Sequence, residues 1–321
     1  MVKVKIFDDI ERLRGFACIL VLIQHIAWIC PINFIYELVP TRLLFGKEAV
    51  RIFFAISGFV VTLSLRNKLS PISGYTFLER LMAAKKDIIL FYKKRFFRIF
   101  PVMFFTVVLT GISLSVSEKD FSWLQSLLLA PFEILVGSYA NIVELFVYQE
   151  KIHVGGIGPF WTLAIEAQFY IFWPIIFLLC KNDNIRAIVA LSLGCVFLFL
   201  VYPLLFIMVG KKYYLPHNNL SELFLGAFFA FLYNENVKRE FNKKIAMLIS
   251  IILALIIWSY PSFMQESYFS NIVPCISSVA IVVLAAFLKG SFDIPLFNKI
   301  FDFLGSRSYS FYALQLVLAN I

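Results

Sequence analysis

"RLRGFACILVLIQH", residues 12–25, is an apolar run of helix length with two arginines at its start and a histidine at its end. Comparable runs of about 17 to 25 residues, the length that crosses a hydrocarbon core as a helix, recur at 13–30, 48–66, 99–116, 159–180, 186–209, 220–235, 244–260, 269–288 and 306–321. They are too long and unbroken for the alternating strands of a membrane barrel. Hydrophobic residues make up 61% of the 321 and charged residues 15%, against roughly 25% charged in an average soluble domain. The expected fold class is therefore all-α, a polytopic integral membrane bundle of about nine to ten transmembrane helices, built as a single domain over 1–321.

A further apolar stretch at 121–140 decides the topology, because cytoplasmic loops are enriched in Lys and Arg. If it does not cross and the N-terminus is cytoplasmic, 22 basic residues lie inside and 7 outside; if it crosses, the split falls to 16 and 13. The non-crossing topology is the expectation, with 121–140 re-entrant or lying along the outer interface. That inside bias accounts for most of the net charge of +9, so no nucleic-acid partner is implied. The five cysteines, Cys18, Cys30, Cys180, Cys195 and Cys275, sit in or at the ends of spans without metal-ligand spacing and read as packing residues; no metal is expected. The N-terminus lacks a small-residue cleavage site before the first span, so no removable signal peptide is expected.

Four stretches carry candidate chemistry. Arg14 and His25 are eleven residues apart, which on a helix is three turns plus about 20°, and about 16.5 Å along the axis. They share a face, and with Arg14 at the cytoplasmic surface His25 lies near mid-membrane, where an ionisable residue is a functional hypothesis. Gly15 beside Arg14 leaves room for something bulky. In "AVRIFFAISGFVVTLSL" (49–65), Ser57 and Gly58 fall mid-span, where small residues let helices approach. In "YKKRFFRIFPVMFF" (92–105), Arg95 and Arg98 share a face at i and i+3, on the same side as Arg14, and could hold a polyanionic cytoplasmic ligand. Pro101 is expected in the first turn of that span, where its missing N–H costs nothing.

In "GPFWTLAIEAQFYIFWP" (158–174), Thr162, Glu166 and Tyr170 lie at i, i+4 and i+8, with Trp161 at the interface. Glu166 needs a partner inside a span. It is expected to come in from the outer surface toward the depth of His25, in a general acid–base arrangement. His153 and His217 read as outer-surface residues, and the polar "SRSYSFYALQ" (306–315) as cavity lining.

These stretches, in this order, resemble acyltransferase family 3, the bacterial membrane O-acyltransferases that modify sugars of surface polysaccharides and lipopolysaccharide. The resemblance rests on the arginine, ten residues, histidine pattern of "RGFACILVLIQH", on "FFAISGF", "KRFFRIFP" and "FWTLAIEAQFY", and on the late "LGSRSYSFYALQ". It implies acyl-CoA, most simply acetyl-CoA, as co-substrate with no bound cofactor. It also implies a glycan acceptor, lipid-linked or free, and a multi-pass location in the bacterial inner (cytoplasmic) membrane, in contact with membrane lipids. By the same resemblance, His25 is the general base or acyl relay, Arg14, Arg95 and Arg98 lie near the donor, and Glu166 and Tyr170 belong to the catalytic core with Ser57, Trp161 and Thr162 around them. Three positions depart from the family pattern: Arg51 where many members have an acid, Ala167 in place of a second glutamate, and Gln315 in place of a frequent histidine. A last helix returning to the cytoplasm is expected to be missing after Ile321.

Two other functions fit the same residues. In a proton-coupled transporter of a small metabolite or glycan precursor, His25 and Glu166 would relay protons; a catalytically silent member would act as a scaffold.

Overall fold

The computed structural model describes residues 8–29, 46–69, 76–118, 161–204, 219–234, 242–263, 271–288 and 290–311. The elements are helices: α1 (Asp8–Ile29), α2 (Gly46–Arg66), α3 (Phe77–Glu118), α4 (Trp161–Leu179), α5 (Asp183–Val196) running on into a π-helical turn (Phe197–Val201), α6 (Leu220–Leu232), α7 (Lys243–Phe263), α8 (Ile272–Phe287) and α9 (Asn298–Ser306). The all-α expectation holds among the described residues.

A helix that is apolar on all sides must be enclosed, and α2 meets that condition. Val50, Phe54, Val61 and Leu65 join a cluster with Phe169 and Trp173 of α4 and Leu223 and Phe224 of α6. Ile52, Ile56, Phe59 and Leu63 join a second cluster with α1, α7 and α8. The α2–α6 packing is the most extensive in the bundle. Two glycines allow it: a Cβ at Gly58 would overlap the carbonyl oxygen of Leu223, and one at Gly226 that of Ala55. Gly15 and Gly305 do the same for α1 and α9, facing the backbone of Phe301 and Glu11 respectively. The space beside Arg14 is thus filled by a neighbouring helix.

Polar contacts gather at two ends of the bundle. Arg51, Glu222 and Asn271, at the starts of α2, α6 and α8, meet at one. At the other, Arg66 donates to Asp183 Oδ2 and to the carbonyls of Ala230 and Tyr233, and Asp9 accepts the backbone N–H groups of Gly290 and Phe292. Burial raises the Asp9 carboxyl above its ordinary value, against these two bonds and Arg12. Arg12 in turn bridges Asp293 and Asp302. α3 and α4 are antiparallel, with Arg80 donating to Leu179 O and Tyr92 to Ile171 O.

The expected number of spans is not reached among the described residues, and the expected place of Pro101 is corrected. Only Ala49–Arg66 and Asp183–Leu204 are long and apolar enough to cross a membrane on that criterion, with four shorter apolar helices beside them; the count of nine to ten spans is not reached among the described residues. Part of the reason is that α1 begins with Asp8, Asp9, Glu11, Arg12 and Arg14, which leave little uncharged length before Ile29. Pro101 lies inside a 42-residue α3, not in a first turn. The basic stretch before it continues the helix, for a total of about 63 Å, and Pro101 deprives Phe97 O of its helical donor. The chain before the expected last span forms α9, packed antiparallel on the start of α1. Residues 121–140, His153, His217 and Gln315 lie outside the described residues.

Candidate functional site

α1, α2, α3, α4 and the segment after α9 surround one cavity of about 630 Å³, counted with its open mouth. Its polar lining is Arg14, Ser57, Arg95, Arg98, Thr162, Glu166 and Tyr170, joined by Ser308 and Tyr309. Val50, Phe53, Phe54, Val60 and Val61 of α2 form an apolar wall. Seven of the nine residues singled out from sequence therefore converge here from four helices, and "SRSYSFYALQ" does contribute cavity lining. The remaining two, His25 and Trp161, lie on α1 and at the start of α4, with side chains outside the described residues.

Helical spacing sets the local chemistry of α4. One turn separates Glu166 from Tyr170, and Tyr170 Oη donates to Glu166 Oε2 at 3.0 Å. Ser57 Oγ of α2 lies 2.9 Å from the same phenol oxygen. A phenol has a single proton, so with that proton on Glu166 the serine hydroxyl must be the donor to Tyr170. The three form a directed chain, Ser57 to Tyr170 to Glu166. One turn deeper, Trp173 Nε1 donates to Thr62 Oγ1 at 2.7 Å, which fixes α4 against α2 in this register.

The cations surround that chain. The Arg95 guanidinium sits 5.2 Å from the centre of the Tyr170 ring and 5.4 Å from that of Phe91, within cation–π range. Burial pushes Arg95 below its ordinary arginine value, Tyr170 and Glu166 work against the shift, and Arg98 adds to it. Arg14 is within electrostatic reach of Arg98, Tyr170, Glu166 and Arg95. Tyr309 Oη donates to Ile99 O at 3.0 Å and ties the segment after α9 to α3 beside Arg98. Three guanidiniums facing one carboxylate leave the cavity an excess of positive charge, and it can hold an anion with more than one charge. Among the described residues no group of three or more His, Cys, Asp or Glu is arranged to hold a metal ion.

Glu166 lines the cavity with Arg14, Arg95 and Arg98: the α3–α4 register sets Tyr92 against Ile171 and so brings the turn holding Glu166 beside Arg95. The expected approach of Glu166 to His25 turns on a side chain outside the described residues. Sequence reasoning also missed the Arg51–Glu222–Asn271 cluster. Arg51 was noted only as a departure from the family pattern, although both Arg51 and Glu222 fall in the first turns of apolar runs expected to begin on the same side. An intramembrane charge requires an opposite partner, and that was the available signal.

The family model described as an acyltransferase domain matches residues 7–321. The O-acetyltransferase OatA of Staphylococcus aureus is 25% identical over 97% of this chain and 50% of its own length. An uncharacterized protein of Haemophilus influenzae is 23% identical over 72% of this chain and 96% of its own. Nodulation protein 10 of Rhizobium leguminosarum bv. viciae is 28% identical over 53% of this chain and 44% of its own. The chain thus spans about half the length of the OatA relatives it matches. No solved structure matches it. With the family model covering nearly every residue, and its "RGFACILVLIQH", "KRFFRIFP" and "FWTLAIEAQFY" segments meeting around one cavity, the chain belongs to the acyltransferase domain family.

Proposed function

We propose that this protein is a multi-pass O-acyltransferase of the bacterial inner membrane. It takes an acyl group, most simply acetyl, from cytoplasmic acyl-CoA and transfers it to a hydroxyl of a surface polysaccharide, lipopolysaccharide or exopolysaccharide precursor. The observation that carries the reading is the convergence of Arg14, Arg95 and Arg98 with Ser57, Glu166 and Tyr170 on one cavity. OatA, named an O-acetyltransferase, supports acetyl transfer. Membrane embedding is supported by α5 with its π-helical continuation, the apolar segment Asp183–Leu204 with only 22% of its span window buried, and by outward apolar side chains such as Leu248 and Ile252 on α7. Such faces call for an apolar surrounding.

In this reading the guanidiniums hold the donor's phosphates, where a fork of N–H groups matches phosphate oxygens. His25 takes the proton of the acceptor hydroxyl as its oxygen attacks the thioester carbonyl. The carbon–sulfur bond breaks, the thiolate leaves and is protonated, and the products are the glycan ester and free coenzyme A. The Ser57–Tyr170–Glu166 chain orients polar groups beside the reacting thioester and gives a proton a path to a carboxylate. Arg14 and His25, on one helix and about 16.5 Å apart, would divide donor binding from chemistry.

The test is consumption of radiolabelled acetyl-CoA by the purified chain in proteoliposomes, with mass spectrometry of surface glycans from cells with and without the protein. Loss of O-acyl groups in the deletion and thioester turnover in vitro are expected. Unaltered glycans together with an inert thioester would refute the assignment.

A further inference from the structure

Away from the arginine cavity, Lys68 in the turn after α2, Arg80 and Asp87 of α3, Leu178 of α4 and Arg186 of α5 line a separate space of about 460 Å³, counted with its mouth. Its two arginines differ. Arg186 donates to Phe177 O, Cys180 O and Asp183 Oδ1, and its guanidinium lies 3.9 Å from the centre of the Phe177 ring. Arg80, 5% exposed, has five N–H bonds to place. Among the described residues it makes one hydrogen bond, a long 3.4 Å to Leu179 O, and its Nε finds no partner. A buried cation so sparsely matched costs free energy unless an anion completes it.

Lys68 is half-buried beside it, within electrostatic reach of Lys94 and Arg95 as well as Asp87. Burial, followed by Lys94, holds its ammonium below the ordinary lysine value, and an anion placed beside it would reverse that. Arg186 is matched by Asp183, and Asp87 offsets one of Lys68 and Arg80, so the described lining keeps a surplus of a single positive charge. That suits a phosphodiester, which carries one negative charge, better than a phosphomonoester, which carries about two.

The helices that line the cavity also turn apolar side chains outward: Leu78 and Met82 of α3, Ile175 and Leu179 of α4, Ile185 and Ile188 of α5. Leu179 joins the two features, since its carbonyl accepts from Arg80 and its side chain is 54% exposed. A phosphodiester that carries hydrocarbon would meet both.

We propose that the Lys68–Arg80 cavity binds an anionic phospholipid of the phosphatidylglycerol class, with the headgroup phosphate between Lys68 and Arg80 and the acyl chains along the outward apolar side chains of α3, α4 and α5. Basic pockets between membrane helices take anionic headgroups in this way. Such a lipid would clamp α2, α3, α4 and α5 together at their shared end. The inference uses only the embedding of the chain in a bilayer and is independent of the acyl donor. A headgroup with its own ammonium would bring like charge to Lys68 and Arg80, so choline lipids should bind less well. A soluble phosphate shares the phosphate chemistry but lacks the hydrocarbon.

The test is native mass spectrometry of the full purified chain in detergent, with phosphatidylglycerol and phosphatidylcholine of the same acyl chains added in equal amounts. Wild type should prefer phosphatidylglycerol about tenfold or more, the scale of one charge-assisted contact. In Lys68→Ala and in Arg80→Gln the ratio should fall toward one. Lys68 is half-buried in a turn, so its variant carries the test if Arg80→Gln does not fold. Asp87→Asn removes the opposing carboxylate and should raise the preference, a direction that damage to the fold would not produce. Equal retention of the two lipids by wild type, or a preference that survives in Lys68→Ala, overturns the site. Displacement of phosphatidylglycerol by inorganic phosphate, beyond that by chloride at equal ionic strength, assigns the cavity to a soluble anion and overturns it as a lipid site. Titration of the same preparations with acyl-CoA tests the donor reading separately.

Discussion

Arg51 Nη1 lies 2.5 Å from Glu222 Oε1, with the two side chains 4% and 0% exposed. Arg51 also donates to Asn271 Oδ1 and Ser221 Oγ to Glu222 Oε2, so the pair is enclosed in hydrogen bonds that join α2, α6 and α8. Removing one partner strands the other in a buried site, at about 3–5 kcal/mol, whereas replacing both with apolar residues of similar volume is often neutral. Arg51→Ala should therefore lower the thermal inactivation midpoint in detergent sharply, and Arg51→Met with Glu222→Leu should recover most of the loss. A double variant as unstable as the single one would mean that the ionic pair itself holds these helices.

The hydroxyl chain predicts a graded loss. Tyr170→Phe keeps the ring beneath Arg95 but removes both bonds of the phenol oxygen, so turnover should fall by about a hundredfold or more while the thermal midpoint changes little. Ser57→Ala removes only the outer bond and should cost less. Full turnover in Tyr170→Phe, measured as thioester consumption, would reduce the chain to a packing device between α2 and α4.

Among the described residues, Glu166 is the only carboxylate lining a cavity that holds three guanidiniums. Glu166→Gln makes the cavity more positive, so acyl-CoA affinity should hold or tighten as turnover drops. Weakened donor binding in the variant would show that Glu166 holds the arginines in place more than it serves the reaction.

The antiparallel register of α3 and α4, with Arg80 at Leu179 and Tyr92 at Ile171, makes the chain leave α3 and return into α4 at one end of the bundle. A single crossing by 121–140 would reverse α4. Single cysteines at Lys151 and Lys181 in an otherwise cysteine-free protein should then react with an impermeant reagent from opposite faces, Lys151 from outside. Labelling from the same face would overturn the topology.

Much of the site was legible because charge in an apolar run is costly and so rarely incidental. Arg14 and Glu166 stood out on that ground, Arg95 and Arg98 on their shared helix face, and all four line the cavity. The register of the helices was not legible. The level of Glu166 depends on how α4 slides along α3, and that is set by Tyr92, and against α2 by Trp173 and Thr62, contacts no periodicity encodes. The α3 boundary was missed for a related reason: Lys85, Lys86, Lys93 and Lys94 lie before the apolar run at 99–116, yet they occupy the exposed side of a helix whose opposite side buries Arg80, Ala84 and Phe91. The α1–α9 contact hid in single glycines, where Gly15 and Gly305 mark backbone against backbone.

The last prediction turns on α1, an unbroken helix from Asp8 to Ile29 that carries Arg14 and His25 on one face about three turns apart. Arg14 lines the arginine cavity, so Arg14→Ala should weaken acyl-CoA binding about tenfold or more, the scale of a charge-assisted phosphate contact. His25 is too far along the helix to share that contact, and His25→Ala should leave donor affinity within about twofold of wild type. Glycan O-acylation should nonetheless be abolished, since no described side chain lining the cavity is an imidazole able to exchange a proton near neutral pH. The two variants thus separate binding from chemistry on a single helix. Titration with acyl-CoA and glycan mass spectrometry, at matched membrane levels of each protein, give the two readouts. Appreciable glycan acylation by His25→Ala would remove the histidine from the reaction, and loss of donor binding in that variant would place it in the donor site instead.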